Sequence, residues 1–290
     1  MWSGIVRGWR VAHTVYVQAE NAHLGLIAAG VAFFGIFAIF PAMAALIAIF
    51  GLVADPAIVE SQLQLMSDLI PEEAFGLFKD QVDRLLRTQS GTLGWATMVS
   101  TALALWSARA GVAALMRGLN AISGGRNRGG LRHYAVAFLL TICLVGIAVS
   151  ALLVVVVAPI VLAFLPLGTM TAVLLEALRW IMALFILLAA LGLLYRFGPN
   201  GRGKRMGWVT PGAFAVVVLW IVASVGFSVY LTNFGSYNEV YGSIGAVIAM
   251  LMWLYISAYL VLMGAVLNVT LEGMASEKAE SLQAQSSPER

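Results

Sequence analysis

Trp106, Arg109, Ala113, Arg117 and Asn120 recur at i, i+3, i+7, i+11 and i+14, a spacing that brings them near one face of an α-helix. A guanidinium grips phosphate or carboxylate with paired N–H groups, and an indole sits well at the head-group level of a membrane. The row therefore suits recognition of an anionic head group, with Arg126 and Arg128 adding positive charge just beyond it. The plain alternative is a set of snorkelling side chains that anchor a helix end. A second polar group spans Asn233-Phe-Gly-Ser-Tyr-Asn-Glu-Val-Tyr-Gly-Ser243. There Tyr237, Glu239 and Tyr241 are placed to line an outward opening, while Asn238 or Ser243 can cap the next helix. Its plain alternative is an aromatic belt with ordinary caps.

Other chemistry finds little support in the residue types. His13, His23 and His133 are scattered, and no HExxH, paired cysteines or aspartate cluster offers a metal site. Gly201-Arg-Gly-Lys204 is followed by Arg205, so it lacks the Ser or Thr of a phosphate-binding loop. Ser236 and Ser243 have no histidine at their depth to act as base, and they read as turn formers or caps. The single Cys143 reads as a small core residue. No cofactor or metal is implied, and an enzyme is not expected.

The elements that must position these groups follow from the composition. Hydrophobic residues make up 61% and charged residues 11% of the 290 residues, and the mean hydropathy is +0.92. Such a chain has lipid as its solvent. Six stretches meet the length of about 20 apolar residues needed to cross a bilayer, near 24–53, 93–108, 134–165, 173–195, 208–231 and 244–267. They read as helices, because strands of a membrane barrel would alternate polar and apolar residues and Ala151-Leu-Leu-Val-Val-Val-Val-Ala158 does not. The expected fold is an all-α polytopic bundle of six spans in a single membrane domain, 1–270.

Charge sets the expected orientation. Arg7 and Arg10 precede the first span, Arg109, Arg117, Arg126, Arg128 and Arg132 follow the second, and Arg196, Arg202, Lys204 and Arg205 follow the fourth. The positive-inside rule places these in the cytoplasm, with both termini. The net charge of +3 thus reflects topology, and no nucleic-acid partner is implied. Membrane lipids are the expected partners, and small residues such as Gly25 and Ala29 leave a homo-oligomer open.

Several local features refine this plan. Trp2, Ile5, Val6, Trp9 and Tyr16 recur at helical spacing and predict an interfacial N-terminal helix. Charge ahead of the first apolar stretch marks it as a span rather than a cleaved signal. Pro41 predicts a kink or hinge in the first span, and Pro159 another in the overlong third. The outer segment 55–90 carries its own helical pattern, opened by Pro71-Glu-Glu73. Helix-compatible sequence in the second span continues to Ile122 before Gly124-Gly-Arg-Asn-Arg-Gly-Gly130 breaks it. Gly198-Pro-Asn-Gly201 reads as a turn, Glu176 and Arg179 as an ion pair, and 271–290 as a disordered cytoplasmic tail.

Ala32-Phe-Phe34 through Phe40-Pro41, Leu105-Trp-Ser-Ala-Arg109 through Leu119-Asn120, and Tyr241-Gly-Ser-Ile-Gly-Ala-Val-Ile248 through Trp253-Leu-Tyr-Ile-Ser257 resemble the YihY/BrkB family from about residue 12 to 270. The resemblance implies a bacterial inner-membrane protein with six spans. Members have carried the label ribonuclease BN, for which this chain offers no metal or acid–base cluster. Members have also been linked to serum resistance and envelope lipid transport, which implies lipid handling. Relatives often end the last span with Gly-Ala-Glu-Leu-Asn, where this chain has Gly264-Ala-Val-Leu-Asn268. The expected function is transport or flipping of an anionic envelope lipid or related amphipathic molecule. The rival is a membrane scaffold that binds acidic lipid or a protein partner.

Overall fold

In lipid the backbone must satisfy its own hydrogen bonds, and a chain this apolar does so by forming helices. The computed structural model describes residues 2–53, 90–125, 129–152, 154–155, 169–200, 207–233 and 243–286. Among them seven helices follow one another: α1 Trp2–Asn21, α2 Leu24–Val53, α3 Ser90–Ile122, α4 Gly130–Leu152, α5 Thr169–Phe197, α6 Pro211–Asn233 and α7 Ser243–Ser286. The described residues include five helices long and apolar enough to cross a membrane. A sixth is added if the bent pair Trp9–Asn21 and Leu24–Ile39 counts as one span. The all-helical membrane bundle read from the sequence is what forms. The outer segment, Pro159, and the end of the third stretch beyond 155 lie outside the described residues.

Two compact units divide the chain, one of residues 1–33 and 109–290, the other of 34–108. The smaller unit holds the later part of α2 and the first part of α3, with Phe37, Trp95, Met98, Leu103 and Trp106 exposed. Pro41 falls inside α2, which continues to Val53. The larger unit is built on a core of Val15, Ala19, Leu24, Ala28, Leu119, Leu194, Val216, Leu262 and Val266, among others. A smaller cluster of Val112, Ala113, Met116, Ala137 and Leu140 joins α3 to α4 and receives Leu193 and Phe197 of α5.

Helix ends follow local chemistry. The sharp bend of 62° falls between α1 and α2, where His23 takes a left-handed φ of 51°, a region that histidine enters more readily than most residues. α3 stops in a glycine cap: Gly124 has φ 62°, and the Gly125 N–H reaches back to the Asn120 carbonyl at 2.9 Å, the wide bond of a Schellman motif. α6 starts at Pro211 rather than 208, because Thr210 caps it. The Ala213 N–H donates to Thr210 Oγ1 at 3.1 Å, and proline fits the first helical position.

Two expectations are corrected. The segment beyond 271 continues α7 as helix to Ser286. Ala275, Glu277, Lys278, Ala279, Glu280, Leu282 and Gln283 favour helix, and extending a helix already nucleated by a span is far easier than starting one. Cys143 is exposed on α4, because the buried side of that helix runs through Ala137, Leu140 and Thr141. Hydroxyls on these apolar helices are satisfied locally: Thr141 donates to the Ala137 carbonyl at 2.7 Å, Ser150 to Gly146 at 2.9 Å and Ser224 to Trp220 at 2.8 Å.

Candidate functional site

Three buried polar residues of the larger unit, Asn120, Thr210 and Asn268, make contacts among α3, α6, α7 and the turn after α5. Asn268 on α7 is buried, and its Oδ1 accepts the Gly212 N–H at 2.7 Å while its Nδ2 donates to Thr210 Oγ1 at 2.9 Å. One side chain thereby satisfies an orphan donor at the start of α6 and holds the capping hydroxyl in place. The approach is close because Gly212 and Gly264 face each other. A methyl on Gly264 would collide with Val216, lie 2.5 Å from the Tyr195 hydroxyl and lie 2.8 Å from the Gly212 carbonyl. Tyr195 donates in turn to the Val261 carbonyl at 2.7 Å, tying α5 to α7. Asn120 does the same work for the turn after α5, where its Oδ1 accepts the Asn200 N–H at 2.6 Å. Val266, at the position where the resembling proteins often carry an acid, is completely buried in the apolar core.

The row on α3 divides according to what surrounds it. Trp106 is 67% exposed, Ala113 and Asn120 are buried, and Arg117 is exposed. Arg109 is half-buried, with its guanidinium carbon 4.7 Å from the centre of the Tyr134 ring on α4. Stacking on an aromatic face steadies a guanidinium without neutralising it, and the planar fork keeps its donor pattern in the plane of the group. Residue spacing did not single out Arg196 at the end of α5, which lies 5.5 Å from the Trp208 ring and 5.9 Å from that of Phe197. Phe197 meets Trp208 edge-on at 6.2 Å and also packs on the Val112–Leu140 cluster. The sequence signal for this second arginine site was an arginine two residues before the Gly198-Pro turn, with Trp208 ten positions further on. Arg109 lies within α3 one turn before the small cluster begins at Val112, and Arg196 lies in the last turn of α5 beside Phe197, which packs on that cluster.

Arg126, Arg128, Tyr237, Asn238, Glu239 and Tyr241 lie outside the described residues, and Ser243 is the first residue of α7. Glu176 and Arg179 pair as expected, and Trp180 Nε1 adds a bond of 2.8 Å to the same carboxylate oxygen. Among the described residues no group of three His, Cys, Asp or Glu side chains converges in a way that would hold a metal ion.

These features define a multi-pass helical membrane protein with arginines stacked on aromatic rings and a polar crossing of small residues. The chain belongs to the family described as virulence factor BrkB, whose model matches residues 15–288. Among similar proteins, the ribonuclease-like protein YfkH of Bacillus subtilis is 28% identical over 259 residues, covering 88% of this chain and 90% of its own. A UPF0761 membrane protein of Xanthomonas oryzae is 40% identical over 73 residues, 25% of this chain and 17% of that protein. One from Idiomarina loihiensis is 33% identical over 88 residues, 30% and 31% of the two chains. The UPF0761 likenesses thus span less than a third of those relatives. No solved structure matches the chain.

Proposed function

We propose that the protein handles an anionic amphipathic lipid of the bacterial envelope, as a transporter or flippase-like protein of the inner membrane with both termini in the cytoplasm. The observation that carries this reading is Arg109, a cation held half-buried within α3 over Tyr134 of the first turns of α4. A charge placed there is costly unless it serves an anion or a structural partner, and a stacked guanidinium is preorganised for phosphate. Arg196 over Trp208 repeats the arrangement on α5, and exposed Arg117 and Arg132 add attraction for the same head group. The basic connections supply the orientation through the positive-inside rule.

Reconstitution of the protein in liposomes with a fluorescent acidic phospholipid tests the reading. Transbilayer movement of the label above that of empty vesicles is expected, and Arg109→Gln is expected to slow it. No movement by folded, oriented protein beside an active control would sink the transport reading. A second reading, a non-transport scaffold that binds acidic lipid, is favoured by one observation: the Gly212–Gly264 crossing packs the arginine-rich end tightly. Under it Arg109→Gln weakens lipid binding while no movement is seen in either protein.

A further inference from the structure

α1 ends only two residues before the first apolar helix begins, and the axes of Trp9–Asn21 and Leu24–Ile39 differ by 62°. With α2 near the membrane normal, the Trp9–Asn21 stretch climbs only about 9 Å from the level at which the span starts, taking 1.5 Å per residue. The head-group layer of one leaflet is roughly 5 to 7 Å deep. Tyr16 and His13 therefore sit at head-group depth, and Trp9, at the far end of the stretch, lies within about a side chain's length of that layer.

Its rotation about its own axis is set by α7. Val15 and Ala19 are buried in the main core, and the Thr270 hydroxyl donates to the Gln18 carboxamide oxygen at 3.0 Å. The opposite face carries Trp9, 75% exposed, Tyr16, 62% exposed, and exposed Arg10 and His13. Glu20 is the only acid in α1. It lies one turn beyond Tyr16, whose phenol pKa it raises by accepting that hydroxyl's hydrogen bond. Aromatic rings beside Arg10, with the one acid of α1 ten residues away at the end nearest the span, complement a surface of anionic head groups.

We propose that the Trp9, Arg10, His13 and Tyr16 face of α1 is a docking surface for the anionic head groups of the adjoining leaflet, held at a fixed rotation by α7. The proposal does not depend on transport. The test uses full-length protein carrying Cys143→Ala and a nitroxide at Trp9→Cys, with Ala279→Cys on the exposed far part of α7 as control. His13→Cys, which keeps Trp9, is a second reporter. The protein is reconstituted in phosphatidylcholine vesicles with or without phosphatidylglycerol, and accessibility to a water-soluble nickel chelate is read by power saturation.

With phosphatidylglycerol, accessibility at positions 9 and 13 is expected to fall several-fold below that at 279. Arg10→Gln is expected to reduce the docked-to-undocked ratio by about fivefold, the equivalent of about 1 kcal/mol for one basic residue at an anionic surface. Labels at 9 and 13 as accessible as the label at 279 in both compositions would overturn the proposal. So would equal protection with and without phosphatidylglycerol.

Discussion

The two ends of the larger unit are built from the same helices and packed in opposite ways. At the arginine-rich end, Leu191, Leu194 and Tyr195 of α5, Ala213, Val216 and Val217 of α6, and Leu262, Ala265 and Val266 of α7 are buried together. Toward the other end of those helices, Met170, Leu174, Ile181 and Phe185, then Val222, Val225 and Val229, then Val247 and Ile248 are exposed. Side-chain hydrophobicity does not separate the two sets. What separates them is that at the first Gly212 and Gly264 meet and Tyr195, Thr210 and Asn268 find partners across helices, whereas at the second Gly226 faces open space and Glu176, Trp180 and Thr232 bond within their own helices. Lipid is as good a neighbour for leucine or valine as another helix is, so helices associate where small residues permit close approach and polar groups find partners. Trp220, Trp253 and Phe227 mark the transition, with ring centres 5.2 to 5.4 Å apart and the Trp220 N–H donating to Ser257 at 3.2 Å.

The contrast can be broken most severely at the crossing itself. Gly264→Leu must displace Val216, Tyr195 and the Gly212 backbone, and it is expected to destabilise the protein by about 3 kcal/mol or prevent folding, as unfolding in detergent would read. Asn268→Leu keeps the volume but strips the Gly212 N–H and the Thr210 hydroxyl of their partner. A loss of about 2 kcal/mol is expected by the same measurement, and a change under about 0.5 kcal/mol would mean that the crossing does not depend on this bond pair. Arg109→Gln sharpens the comparison from the functional side. Stability should change by less than about 1 kcal/mol, whereas retention of acidic phospholipid by the purified protein should drop several-fold. Smallest of all, Val225→Ala on the exposed stretch of α6 should alter stability by less than about 0.5 kcal/mol, because its methyl groups exchange one apolar neighbour for another.

Much of the architecture was legible along the chain. The charge-free run from Leu24 to Val53, the continuation of the second span to Ile122, the glycine stop at Gly124 and the Glu176–Arg179 pair all depend on residues close in sequence. The candidate site was legible only in part. Helical spacing grouped Trp106, Arg109, Arg117 and Asn120, yet a shared face does not say what covers each turn of it. α4 brings Tyr134 to Arg109, and the turn after α5 claims Asn120. Asn268 stood out only within a motif, and its partners Thr210 and Gly212 lie 58 and 56 positions away. Arg196 and Trp208 meet although twelve positions and the end of a helix separate them, which periodicity does not reach.

The sequence by itself determined that this is a membrane protein, where the described helices begin to within a few residues, and the charge asymmetry between its connections. Those properties arise from transfer free energy, backbone self-satisfaction and short-range capping, all written in contiguous residues. Tertiary structure alone decided which apolar faces meet each other and which meet lipid, because hydrophobicity is indifferent to that choice. It also decided that Asn120 and Asn268 serve as internal ties while Arg109 and Arg196 stack on rings beside the core. A buried polar group takes whatever partner the crossing of helices brings within hydrogen-bond reach, and that crossing is set by small residues distant in the chain.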